Sequence, residues 1–299
     1  MTELNLDLSK IKIESELQSC DLCGSSPEFH KNLCRRDKYG FPISTVICRK
    51  CGNIFLNPRP TKSWYEWFYN NLYDKIVKRH FESSENLWQF FENEKEDGKR
   101  IYAAIQNFLP QSGKLLDVGC SLGGLAKHFE EKRWEVWGID PMERHIKFAK
   151  ENVHGTFLAT SIENFDTGVK FNLIVILRTL NHLFSPFLFL EKTRDLLEES
   201  GFIYIEVIDP RFSLFKPHFR TQIDHPFLLS ASTLRNYLTK AFFSLKTLRK
   251  INGYYQILAT PLQEPSQKRK VKNFYCLNSL TILKNSLIFI ISNSIRKWL

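Results

Sequence analysis

No apolar run in the chain approaches the roughly 20 residues that a helix needs to cross a bilayer. In the C-terminal tail the longest uncharged stretch, Asn285 to Ile295, has 11 residues, which excludes a spanning anchor there. An apolar secretory segment is also missing behind Met1, where the chain reads Thr-Glu-Leu-Asn-Leu-Asp-Leu. The expected compartment is therefore the cytosol, where thiols stay reduced, and the seven cysteines do not read as a disulfide framework. An evenly basic body is lacking as well. The formal charge is +10, but from Gln263 to Leu299 seven Lys/Arg (Lys268, Arg269, Lys270, Lys272, Lys284, Arg296, Lys297) face one acid, Glu264. The rest is close to neutral, which argues against nucleic acid as a partner. What the chain does have is core-forming material, 43% hydrophobic with 14% aromatic residues over 299 positions, enough for one large domain and a small one.

Four cysteines fall as Cys20-Asp-Leu-Cys23 and Cys48-Arg-Lys-Cys51, with 24 residues between the two hooks. Two thiolates three residues apart chelate one metal from a tight turn, and a second turn completes the four sulfurs of a closed structural Zn2+ site. Each hook ends on glycine, Gly24 and Gly52, as a knuckle turn requires. A redox Cys-x-x-Cys needs only one hook. Beyond it, Asn57-Pro58-Arg59-Pro60-Thr61 stiffens the exit, and helix-like stretches follow over Ser63 to Tyr73 and Trp88 to Phe108.

From Lys114 the pattern becomes strand, glycine loop, helix: an apolar run to Asp117, then Gly119-Cys120-Ser121-Leu122-Gly123. That is the opening unit of a doubly wound α/β sheet, whose ligands bind beyond the carboxyl ends of the strands. A second strand ends at Asp140-Pro141, placing a carboxylate where it reaches ribose hydroxyls. A dinucleotide loop wants Gly-x-Gly-x-x-Gly against a pyrophosphate, whereas here the middle position is Ser121 and an acid precedes the loop. Asp117 suits a ligand carrying an amino group and a sulfonium charge. Gly119-x-Ser121-x-Gly123 also spells a nucleophile elbow, but the upstream stretch looks helical and carries no His-Gly-Gly oxyanion loop.

Further strands are expected at Thr156 to Leu158, Phe171 to Leu177 and, after a break at Gly201, Phe202 to Ile208. A helix over Ser232 to Ala241 and a hairpin turning at Asn252-Gly253 end the domain. The organisation read from these signals is 1–60 for the cysteine module, 61–110 for a helical connector or substrate lid, 111–262 for the α/β domain and 263–299 for a basic tail. In that tail Leu280, Leu283, Leu287, Ile290, Ile291 and Trp298 share one helical face. Such a helix lies on an anionic membrane surface or packs on the protein.

Proton removal from an acceptor asks for a base, and His182 and the pair Asp224-His225 stand at strand-end positions. The plainer alternative for each histidine is a capping or packing role.

Over about residues 110 to 262 the chain resembles class I S-adenosylmethionine-dependent methyltransferases, on Leu115 to Gly124, Val136 to Pro141, Phe171 to Pro186 and Gly201 to Val207. The cysteine module with its Asn-Pro-Arg-Pro-Thr exit is similar to the zinc-binding segment that precedes such domains in bacterial sugar and polysaccharide methyltransferases. The resemblance implies a seven-stranded Rossmann-like sheet behind a small zinc-ribbon-like module. It implies that Asp117, Gly119, Cys120, Ser121 and Gly123 hold the methionine part, that Asp140 with Pro141 holds the ribose, and that Met142, Ser161 and Ile162 meet adenine. Arg178 and Thr179 would line the floor near the methyl group. In sugar C-methyltransferases with a similar module, residues resembling Asp224, His225 and His182 serve the acceptor with an upstream tyrosine, here Tyr73, with Tyr69 as the alternative. Those enzymes carry a longer C-terminal region that this chain does not match. The expected reaction is O- or C-methylation of a small-molecule, sugar or glycan-intermediate acceptor. The alternatives are an RNA methyltransferase, which predicts basic residues around the site, and a cofactor-binding protein without turnover.

Overall fold

The computed structural model describes residues 8, 11–73, 76, 84–210, 222–262 and 271–273. The tail helix expected over Leu280 to Trp298 lies outside them. Its approach does not: Asn236 exchanges two hydrogen bonds with the Lys272 backbone, at 2.8 and 3.2 Å. Among the described residues no helix is long and apolar enough to cross a membrane.

The N-terminal strands are β1 (Ser15–Glu16), β2 (His30–Cys34), β3 (Thr45–Cys48), β4 (Ile54–Leu56) and β5 (Arg59–Pro60). Helix α1 (Lys62–Asn71) starts where Thr61 accepts the Trp64 N–H at 3.2 Å, and α2 (Ser84–Ile105) follows. Then come β6 (Lys114–Val118), α3 (Gly124–Glu131), β7 (Glu135–Asp140), α4 (Glu143–Asn152), β8 (Thr156–Ala159), β9 (Phe171–Leu177), α5 (Pro186–Leu196) and β10 (Leu197–Ile208). The chain closes with β11 (Phe227–Leu228), α6 (Ala231–Lys240), β12 (Phe243–Ile251) and β13 (Tyr254–Pro261).

Seven strands form the main sheet in the order β12-β13-β10-β9-β6-β7-β8, with β13 running against both of its neighbours and the other pairs parallel. The β12–β13 turn is Asn252-Gly253, both with positive φ (49° and 81°), as a tight hairpin needs. Order β6-β7-β8 one way and β9-β10 the other puts the switch point between β6 and β9. The carboxyl ends of these strands therefore frame one crevice.

Alternation along the strands divides the core. Leu115, Leu173 and Val175 face α2, α3 and α4 through Ile101, Phe129 and Ile146, while Leu116, Ile174 and Ile176 face α5 and α6 through Phe189 and Leu234. Cys20, Leu22, Cys48, Cys51 and Phe55 belong to this second cluster, so the cysteine module is seated on the same sheet face as α5 and α6.

One expectation changes. Gly201 is no break: β10 begins at Leu197 and passes through it with a bulge between Leu197 and Phe202. The four-stranded sheet that holds the N-terminal module runs β11-β4-β3-β2 and takes β11 from beyond β10.

Candidate active site

The loop after β6 occupies the head of the crevice. Gly119 has φ of +76°, and a Cβ on it would lie 2.5 Å from Thr179 Oγ1, so backbone and Thr179 approach as closely as only glycine allows. The loop amides are already engaged. Gly119 and Cys120 N–H both donate to the Ile139 carbonyl (2.8 and 3.1 Å), Ser121 N–H to Asp140 Oδ2 (3.1 Å), Gly123 N–H to the Cys120 carbonyl (2.9 Å) and Gly124 N–H to Glu94 Oε2 (3.1 Å). A phosphate-binding loop keeps such donors for its ligand.

Three carboxylates surround this loop. Asp117 is 2% exposed, and burial, with Glu94 and Asp140 as like charges, pushes its carboxyl well above the ordinary range. Glu94, from α2, is pushed up to about 7 by burial, against the hydrogen bonds it accepts from the loop. Asp140 Oδ1 accepts the Met142 N–H at 2.9 Å, and His145 Nδ1 lies 3.9 Å from the same oxygen. Concentrated acidity with no free amide fits a cationic ligand and opposes a pyrophosphate. The amino group and sulfonium of S-adenosylmethionine meet that requirement, with Asp140 at the tip of β7 for the ribose.

The other cofactor residues divide. Pro141, Met142 and Ser161 lie at the ends of β7 and β8, exposed or half-buried, and Thr160 N–H bonds the Asp140 carbonyl at 3.1 Å, joining the two ends. Ile162 is buried in the core with its side chain on the α5–α6 face, so any contact with a ligand is left to its backbone. Cys120 is likewise turned inward, its sulfur 2.8 Å from where a Gly138 Cβ would stand, and burial pushes its thiol far up. Thr179 packs on the loop, as described. Arg178 has its guanidinium engaged by acids. With φ of +57°, it sends its guanidinium to Asp97 (2.9 Å) and Glu206 (3.3 Å), a buried acid also held by Arg100 (2.8 Å) and Gln256 (2.9 Å).

Across the crevice the two histidines meet. His182 ends a short 3-10 turn after β9, His225 lies three residues beyond Gln222, and their Nε2 atoms are 3.0 Å apart with rings at 88°. Asp224 Oδ2 stands 3.8 Å from His225 Nε2, and the residue is 2% exposed. The tyrosine in reach is Tyr69, whose hydroxyl is 3.4 Å from His182 Nδ1. Tyr73 instead lies tilted against the Tyr69 ring at 5.0 Å and is itself buried. Tyr65 joins the row and donates to the Ile223 carbonyl at 2.9 Å. Burial, reinforced by the Asp224 charge, pushes the Tyr39 and Tyr65 phenols up, so both stay neutral. His182, Asp224 and His225 offer donor atoms within 4.8 Å of one another. Asp224 Oδ1 is buried with no hydrogen-bond partner. The 3.0 Å contact is that of one imidazole N–H donating to the other ring.

The cysteine sulfurs fit a metal better. All four lie within 4.8 Å of one another, with Cys20–Cys51 and Cys23–Cys48 at 3.6 Å. Sulfurs about 2.3 Å from one tetrahedral zinc stand about 3.8 Å apart.

A family model described as a methyltransferase domain matches residues 90–250, more than half of the chain. The chain belongs to this methyltransferase family. Its seven-stranded sheet, reversed only at β13, is the fold of the class I methyltransferases.

A ubiquinone biosynthesis O-methyltransferase of Nitrobacter winogradskyi is 26% identical over 107 residues, covering 34% of this methyltransferase and 41% of the relative. An uncharacterized methyltransferase of Alkaliphilus oremlandii is 31% identical over 106 residues, 33% of this chain and 47% of that one. The methyltransferase thus spans under half the length of these relatives. The crystal structure of an S-adenosylmethionine-dependent methyltransferase from Clostridium acetobutylicum superposes with a TM-score of 0.46 at 13% identity, over 66% of this chain and 98% of that chain.

Glu94 was invisible in the methyltransferase's sequence pattern, since it precedes its partner Gly124 by 30 positions on a helix that reads as ordinary amphipathic surface. Its only signal is Gly124, which accommodates α2: a Cβ there would lie 2.2 Å from the Phe91 carbonyl oxygen.

Proposed function

We propose that this methyltransferase transfers the methyl group of S-adenosylmethionine to a hydroxyl or an acidic carbon of a small-molecule, sugar or glycan-intermediate acceptor, with the histidine pair as its base. The observation that carries the cofactor half is the glycine loop whose amides are all engaged while Asp117, Glu94 and Asp140 ring it. S-adenosylmethionine supplies an already activated methyl group, so the protein's work is to align an acceptor and remove a proton. Asp140 holds the ribose hydroxyls. Asp117 and Glu94 offset the positive charge of the methionine portion.

For the acceptor, His182 and His225 form a relay: a proton taken by one ring passes across the 3.0 Å Nε2–Nε2 contact, and the Asp224 carboxylate stabilises the imidazolium that results. Tyr69 fixes the His182 ring through Nδ1. The row of Tyr65, Tyr69 and Tyr73 offers flat apolar faces with hydroxyl rims, which suits a ring-shaped polar acceptor. That relatives are named for O-methylation supports a hydroxyl as the group modified. The four cysteines hold one structural Zn2+.

Calorimetry with S-adenosylmethionine on the whole chain and on Asp140→Ala tests the cofactor half. Loss of a charged partner for the ribose weakens binding by roughly 10- to 100-fold, and an unchanged Kd overturns the assignment. Nucleotide sugars and glycan intermediates screened with methyl-labelled cofactor then identify the acceptor, and turnover undiminished in both His182→Asn and His225→Asn rejects the base.

A further inference from the structure

Arg59 and Asp21 are charged, belong to the cysteine module and have no part in the chemistry so far. Arg59 is only 6% exposed. Its Nη1 donates to the Phe184 carbonyl at 2.6 Å, and its guanidinium lies 4.0 Å over the Phe184 ring and 5.5 Å from the Phe227 ring. Phe184 is two residues after His182, and Phe227 is two residues after His225. One buried guanidinium therefore touches both segments that carry the histidines.

Asp21 sits between the two cysteines of the first hook. It accepts the Ser185 hydroxyl at 2.5 Å and the Phe187 N–H at 3.2 Å, fixing the turn that leads from His182 into α5. Its carboxylate is also the opposing charge for Arg59, whose burial disfavours the guanidinium. The third hold is backbone. Leu56 N–H donates to the Pro226 carbonyl at 2.8 Å, immediately after His225, and Phe55 and Ile54 pair with Phe227 and Leu228. What the buried Arg59 guanidinium supplies is geometry, because it fixes direction and distance together.

We infer that Arg59 and Asp21 are positioning residues for the histidine pair, and that the cysteine module acts as a clamp holding His182 against His225. This rests on the reading of the pair as the base, but its test does not.

The experiment is imidazole 15N NMR on the full zinc-loaded chain, with His182→Asn and His225→Asn used only to assign signals. Rings in contact titrate as a pair, with two midpoints more than about one pH unit apart. In Arg59→Met the two midpoints converge to within about half a unit of each other near the ordinary value of about 6.5. Arg59→Lys, which keeps the charge and a donor to the Phe184 carbonyl, recovers most of the separation, which a packing role alone does not predict. Zinc content and the Kd for S-adenosylmethionine stay within twofold in both variants. Should Arg59→Met not fold, Asp21→Asn is read in the same way. A wild-type chain whose histidines titrate independently overturns the clamp. So does a separation that survives in a folded variant, or one lost only together with zinc and cofactor binding. Because the midpoints are read without turnover, undiminished methyl transfer in both His182→Asn and His225→Asn sinks the base and leaves the clamp standing.

Discussion

Glu94→Gln tests the acid ring around the cofactor loop. The wild-type carboxyl titrates at about 7 where its ordinary value is 4.5, chiefly through burial. Between those values the folded chain keeps a proton that the unfolded chain has released, so stability falls as pH rises through that window. The gap of about 2.5, at about 1.36 kcal/mol per pH unit, sets a ceiling of roughly 3 kcal/mol. Glutamine retains an oxygen for the Gly124 N–H, bonded at 3.1 Å in the wild type, but cannot ionise. Urea unfolding at pH 5 and pH 8 should therefore show the wild type losing more stability than Glu94→Gln, by a margin of up to roughly 3 kcal/mol. Cofactor binding has the opposite slope. If a cationic ligand selects the ionised form, about a tenth of the sites are competent at pH 6 and about nine tenths at pH 8, so the Kd tightens up to about tenfold. In Glu94→Gln it stays flat. Equal pH dependence of stability and of Kd in the two proteins would refute both the buried acid and its role.

Gly119→Ala forces a side chain into positive φ and to 2.5 Å from Thr179 Oγ1; calorimetry and urea titration should show lost cofactor binding and about 2 to 4 kcal/mol less stability. Adding Thr179→Gly should recover only the steric share. Metal analysis should find one zinc per chain, and a strong chelator should abolish the cooperative unfolding transition of the module; a Cys20→Ser chain that keeps its metal and its melting profile contradicts this. Deleting residues 277 to 299 should abolish sedimentation with anionic liposomes, and unchanged sedimentation rejects the surface-helix reading of the tail.

The sheet was legible because its signals are local. Leu115 to Val118 and Phe171 to Leu177 are apolar runs bounded by glycine or polar turns, and Asn252-Gly253 announces its hairpin. The two Cys-x-x-Cys hooks and both histidines could be picked out as residue types at telling places. Three things could not be seen in sequence. Arg178 has a left-handed backbone that turns its side chain toward Asp97. Tyr65, Tyr69 and Tyr73 share one helical face at intervals of four, so spacing alone could not choose which ring reaches His182. The two-residue strand Phe227–Leu228 carries no periodicity, and its pairing with Phe55 and Ile54 crosses 172 and 174 positions of chain.

That last pairing bears on why a cysteine module sits on this methyltransferase at all. The module's sheet borrows β11, and its cysteines and Phe55 pack in the same apolar cluster as Ile174, Ile205 and Phe189. So small a unit has little core of its own and leans on the shared face, and under the proposed zinc site on the metal as well. The contacts of Arg59 and of the Asp21 carboxylate fall beside His182 and His225, while the module meets α6 through Asn53 to the Tyr237 hydroxyl (3.1 Å) and Lys240 Nζ to the Asp21 carbonyl (3.2 Å). On the proposed zinc reading, the metal, the module and the histidine segments form one cooperative unit, set apart from the acidic ring at the glycine loop. Loss of zinc should accordingly disorder the histidine pair before it affects cofactor binding, which separates a module that positions the acceptor site from one that merely stabilises the fold.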